Sequence, residues 1–218
     1  MFFRLSSGWL GIGRKMEEII LNSSSDARRI IFIFHGYGAD NENMRSIGNV
    51  FADAFPQTEI RIPNGLEKCC EGCGYQWFKL EGEDTKLWDD DFIINSPKIV
   101  EYVDSVLSQK NLPYKEVIFS GFSQGGMVAL SLGLQYEVKG VVSFSGILLN
   151  FQKIASCATK VMLAHGQEDL VIPFETLEIT EKALKNIGIY VETAVSQNIG
   201  HSIDNYLMTQ SVDFLERL

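Results

Sequence analysis

Ser123 stands in the stretch Gly121-Phe122-Ser123-Gln124-Gly125, a G-x-S-x-G spacing, with Gly126 directly after it. Two chemistries put a serine among glycines: nucleophilic attack on an acyl carbon, and a backbone cradle for phosphate. The phosphate reading fails on spacing. A Walker loop needs Gly-Lys-Ser/Thr, whereas Gly126 is followed by Met127 and Val128. A dinucleotide fingerprint needs glycine two places after Gly121, where Ser123 stands. The nucleophile reading fits. A serine at a tight strand-to-helix turn is held in strained backbone geometry, with its hydroxyl raised above a sheet. Its neighbours two residues away must be small to let the backbone close.

Such a serine needs a base and an acid. The chain holds 3 histidines, His35, His165 and His201. For this architecture the order is Ser, acid, His, which selects His201; His35 and His165 end strands and are expected to be structural. The acid lies between Ser123 and His201 in AHGQED, where Asp169 is the first candidate and Glu168 the reserve. Its task is to hold one imidazole tautomer and stabilise the imidazolium. Two backbone N–H groups complete the set as an oxyanion hole: that of Gln124, after the nucleophile, and that of Tyr37 in HGYGAD. Gly36 and Gly38 are expected to turn the chain so that the Tyr37 amide faces Ser123.

Short apolar runs at 30–34, 116–120, 141–145, 160–164 and 190–195 read as strands, and helical patterns separate them. Ser96 and Pro97 read as the start of one helix, Pro173 opens another ended by Gly188, and Ile203, Leu207, Phe214 and Leu218 mark a last amphipathic helix. This alternation predicts a three-layer α/β domain with a mostly parallel central sheet over residues 16–218. Residues 1–15 read as an extension or a mis-assigned start before Met16. The stretch 63–91, with Trp77, Phe78 and Trp88, breaks the rhythm and reads as an excursion over the sheet's C-terminal edge, where such sheets hold ligands.

Composition removes other classes. With 218 residues, 45% hydrophobic and 22% charged, the chain is a globular domain. A net charge of −9 and only 19 Lys and Arg exclude a nucleic-acid binder. No apolar run approaches the roughly 20 residues of a membrane span. Cys69, Cys70 and Cys73 contain a C-x-x-C, but more ligands are missing, so reduced thiols in a cytoplasmic protein are expected and no metal.

FHGYGAD, Gln76-Trp77-Phe78, GFSQGG, HGQED followed by Val171-Ile172-Pro173, and GHSI together resemble the phospholipase/carboxylesterase family of α/β-hydrolases, which includes the acyl-protein thioesterases. The resemblance runs from Met16 to the C-terminus, and HGYGAD looks like the bacterial members. It implies an α/β-hydrolase fold and a serine hydrolase of carboxylic esters, thioesters or lysophospholipids, without cofactor, metal or nucleotide. It also implies Ser123, Asp169 and His201 as catalytic residues, Tyr37 and Gln124 as oxyanion positions, and Trp77 with Phe78 beside the acyl pocket. It leaves a homodimer open. An acyltransferase with the same triad and a non-catalytic binding protein on the same fold are the alternatives.

Overall fold

The computed structural model describes residues 16–25, 27–69, 74–80, 82, 85–149, 153–155 and 158–218. The extension 1–15, Cys70, Cys73 and Cys157 lie outside the described residues. Seven strands form one sheet in the order β1-β3-β2-β6-β7-β8-β9. These are β1 (Glu18–Leu21), β2 (Arg29–Phe34), β3 (Thr58–Pro63), β6 (Val117–Phe122), β7 (Gly140–Phe144), β8 (Lys160–Gly166) and β9 (Val191–Ser196). β1 pairs antiparallel with β3, and every other pairing is parallel. A separate two-stranded hairpin, β4 (Glu67–Lys68) with β5 (Tyr75–Gln76), fills part of the excursion.

Apolar side chains on the two faces of each strand explain the layers. Phe32, Phe34, Phe119 and Val141 face a core with Val103 of α2 (Thr85–Lys110), Val128 of α3 (Gln124–Gln135) and Leu184 of α4 (Glu175–Asn186). Ile31, Ile33, Ile118 and Val142 face the opposite core with Phe51 of α1 (Arg45–Ala54) and Phe214 of α5 (Asn205–Glu216). The five expected strands are present within two residues of their bounds. Among the described residues four further strands were not expected: β1, the hairpin strands β4 and β5, and β3, whose Glu59 and Arg61 are buried although charged.

The expected helix start at Ser96 and Pro97 is corrected. Pro97 lies inside α2, which begins at Thr85. Proline removes the N–H that would meet the Ile93 carbonyl, and the Ser96 hydroxyl approaches that carbonyl instead at 3.4 Å. Gly188, with φ +84°, ends α4 as expected. α5 begins only at Asn205, where the Asp204 carboxylate accepts the Leu207 N–H, so Ile203 belongs to the preceding loop.

Candidate active site

Parallel strands discharge their loops at one edge, and four of these loops carry the candidate residues. β2 leads into His35-Gly36-Tyr37-Gly38, β6 into Ser123, β8 into Asp169, and β9 into His201.

Ser123 sits between β6 and α3 with φ 55° and ψ −118°, a conformation that side chains rarely adopt and that costs about 1–3 kcal/mol. Neighbouring glycines make the turn sterically feasible. A Cβ on Gly121 would lie 2.2 Å from the Gly125 carbonyl oxygen, and one on Gly125 would lie 2.0 Å from that of Phe34. Only hydrogen fits at either place, so α3 packs straight onto the ends of β2 and β6. The Ser123 N–H donates to the Phe144 carbonyl at 2.8 Å, which ties the elbow to β7. Gln124 is the first residue of α3, where amides point away from the helix and lack intrahelical acceptors.

The Gln124 side chain, fully buried, accepts the Trp77 N–H at 2.9 Å and donates to the Phe78 carbonyl at 2.6 Å. The Trp77 indole donates to the His35 carbonyl at 2.9 Å, and its ring meets Phe34 edge-on at 5.1 Å. Trp77 and Phe78 are therefore core residues that brace the elbow. Both are buried, and neither is among the described residues that line the groove at this edge.

His35 is also structural, as expected. The Gly65 N–H donates to its Nε2 at 2.8 Å, so its proton is on Nδ1 and goes to the Gly36 carbonyl at 2.7 Å. Burial lowers its pKa, against the pull of that carbonyl, and keeps the ring neutral. The turn after it is latched to the hairpin: Gly38 N–H donates to the Tyr75 carbonyl at 2.9 Å, and Tyr75 N–H to the Ala39 carbonyl at 2.7 Å. Gly38 takes φ +74°, which favours glycine, whereas Gly36 has room for a Cβ at 3.5 Å from Ser123 Cβ. That short distance sets the turn directly against Ser123. Tyr75, which sequence reasoning passed over, holds the turn through its backbone and so left no side-chain signal.

Asp169 is buried and its two oxygens have separate duties. Oδ1 accepts the Val171 and Ile172 amides, each at 2.9 Å, while Oδ2 accepts from His201 Nδ1 at 2.7 Å. With its proton on Nδ1, His201 leaves Nε2 as an acceptor. Burial pushes the Asp169 carboxyl up, but the hydrogen bonds from His201 and the Ile172 amide outweigh it and hold it below the ordinary range. The buried Ser145 hydroxyl, which makes no hydrogen bond of normal geometry among the described residues, favours the same charged form. Glu168 is exposed beside this bond and takes no part in it; its N–H donates to the Ile199 carbonyl at 2.9 Å. Gln167 N–H likewise reaches the Ser196 carbonyl, so the Asp169 and His201 loops are knit together. His165 donates from Nε2 to the Ile172 carbonyl at 2.8 Å and fixes the same loop from below.

The His201 ring lies 4.6 Å from that of Phe122, the residue before Ser123. No hydrogen bond joins Ser123 to His201 among the described residues. A groove of about 560 Å³ opens here, with His201, Phe122 and the 36–38 turn in its wall. Among the described residues no three His, Cys, Asp or Glu side chains gather as metal ligands, and no helix is long and apolar enough to cross a membrane.

The sequence matches the family described as phospholipase/carboxylesterase over residues 15–218. It is 30% identical over 202 residues to the esterase YpfH of Escherichia coli K12, covering 90% of this chain and 86% of that protein. It is 32% identical over 217 residues to acyl-protein thioesterase 1 of Gibberella zeae, covering 87% and 90%. The crystal structure of esterase PE8 superposes with a TM-score of 0.85 at 29% identity, over 93% of this chain and 99% of that one. A Bacillus cereus carboxylesterase shares the fold at TM-score 0.79 and 15% identity, covering 94% and 95%.

Proposed function

This chain belongs to the phospholipase/carboxylesterase family of α/β-hydrolases, and we propose that it cleaves carboxylic esters and thioesters with Ser123, His201 and Asp169 as its catalytic residues. The observation that carries this reading is the 2.7 Å bond from His201 Nδ1 to the buried Asp169 carboxylate, beside a serine held in a strained elbow. A carboxylate there fixes the tautomer that leaves Nε2 free to take a proton.

In the first step Ser123 Oγ attacks the acyl carbon and its proton passes to His201 Nε2. For this transfer the ring must come within about 2.6–3.2 Å of the hydroxyl, a contact that tightens as substrate seats. The oxyanion that forms meets the Gln124 and Tyr37 amides, each worth about 10²–10³ in rate. The C–O or C–S bond then breaks, and His201 Nε2 returns the proton to the departing oxygen or sulfur. Water repeats the sequence on the acyl-enzyme: its proton goes to Nε2, the ester bond to Ser123 breaks, and the serine regains a proton. The reaction asks for no redox cofactor, and a cytoplasmic setting is proposed with it.

Fluorophosphonate labelling of the wild type and of Ser123→Ala tests the proposal. Labelling at neutral pH that disappears in the variant supports it. An unlabelled wild type would favour a non-catalytic scaffold.

A further inference from the structure

The groove beside His201 belongs to the reaction, and its direction is set by stereochemistry. In the tetrahedral intermediate one oxygen points to the oxyanion amides, and the leaving atom must face the imidazole that protonates it. A groove with His201 in its wall is therefore on the leaving-group side of Ser123. Beyond the 36–38 turn and His201, its walls come from Ile47 and Val50 of α1 and from Ile203 and Met208 at and before α5. Asn43 and Ser46 add uncharged polar groups.

Among the described residues, no Lys or Arg lines this groove. Arg45, next in sequence to Ser46, is held by two hydrogen bonds to Glu42, at 2.6 and 2.8 Å. Among the described residues the one carboxylate in the lining is Asp204, committed to capping α5 and to Ser196. A phosphate entering here would meet no cation, one carboxylate, and a chain of net charge −9. Like charges facing across a site cost affinity.

Resting on the hydrolase reading above, we propose that the groove formed by α1 and the 202–208 segment is the leaving-group subsite, and that it selects uncharged alcohols and thiols against phosphorylated ones. Butyryl thioesters of N-acetylcysteamine and of coenzyme A test this, because they share acyl chain, thioester and reacting sulfur while coenzyme A adds phosphates on a longer arm; S-butyryl-pantetheine and its 4′-phosphate, which differ in phosphate alone, serve as the matched control pair. The uncharged thioester should show about tenfold higher kcat/KM or more, and added salt should narrow the gap by screening. Val50→Lys, at an exposed groove position, and separately Ser46→Arg should shift the ratio toward the coenzyme A thioester by about tenfold. Equal or reversed preference in the wild type, with Ser123 labelled normally, overturns the subsite and leaves the hydrolase reading standing. A ratio that both variants leave unchanged while acyl-chain-length preference moves would give the groove to the acyl group and also overturn it. Failure to cleave either thioester, with Ser123 unlabelled, refutes both readings.

Discussion

Replacing Asp169 with asparagine changes one oxygen to NH₂ and almost no volume, so its effect follows from hydrogen-bond directions. Two orientations are open to the new amide. In the first, its oxygen keeps the Val171 and Ile172 N–H groups, now at 2.9 Å from Oδ1. The NH₂ then faces His201 Nδ1, which must become an acceptor, moving the ring proton to Nε2 and removing the base. In the second, the oxygen keeps His201, and the NH₂ confronts the part-buried Val171 and the buried Ile172 amide donors. Leaving the buried Ile172 N–H unsatisfied costs about 1–3 kcal/mol, and the loss of the Val171 bond adds to it. His165 Nε2 approaches Oδ2 at 3.4 Å, but its proton already goes to the Ile172 carbonyl at 2.8 Å, so it does not reverse the balance. The first orientation wins, and with it the wrong tautomer. By the general template for such triads kcat falls on the order of 10⁴, about 5.4 kcal/mol at 1.36 per tenfold. Steady-state hydrolysis of p-nitrophenyl butyrate, with thermal melting as the control for folding, measures it. A folded Asp169→Asn enzyme within tenfold of wild type would refute the reasoning and move the role to Glu168.

Three further outcomes follow from other parts of the molecule. Gly125→Ala forces a methyl to within 2.0 Å of the Phe34 carbonyl oxygen; about 1–3 kcal/mol of stability or more should be lost in denaturant melts, and fluorophosphonate labelling should slow because the elbow is displaced. Asp169 has a folded pKa below its unfolded one, so its contribution to stability is complete above about pH 4 and is lost as pH falls through the folded value. The gap in urea midpoint between wild type and Asp169→Asn should be full at pH 7 and narrow as the pH falls below about 4, and a gap that stays constant contradicts this. Glu59, fully buried, takes hydrogen bonds from Arg61 and Lys110; Glu59→Gln should cost about 3–5 kcal/mol while activity per folded molecule is kept, and a melt shifted by less than a degree or two would show the network to be dispensable.

The parts of this fold that could be read from sequence are those with local causes. β2, β6, β7 and β8 are near-continuous apolar runs because helices cover both faces, and β9 carries enough of the same pattern to be read with them. The elbow announces itself because only glycine fits at 121 and 125. Asp169 and His201 were found from chain order, and the bond between them then depends on loops knit by Glu168 and Gln167 amides. β3 escaped because Thr58–Pro63 alternates charged and apolar residues, which reads as half-exposed. Its charges are buried only because Glu18 and Lys110, distant in sequence, complete the network. α2 was started too late because Ser96-Pro97 is a common helix opening, and nothing local says that the preceding eleven residues also coil. Trp77 and Phe78 are aromatics in an irregular loop, which suits a pocket wall or a core alike, and nothing local announces that the buried Gln124 amide claims their backbone. The groove itself had no signature, because its walls are outward faces of two amphipathic segments that meet only in the folded chain.

Rapid-quench mixing of the wild type with excess p-nitrophenyl butyrate, followed by peptide mass mapping, tests the covalent step at the centre of this account. A burst of one nitrophenol per chain, with the butyryl group found on Ser123 and both lost in Ser123→Ala, is the expected result. A burst with the acyl group on another residue, or undiminished turnover by Ser123→Ala, would contradict it.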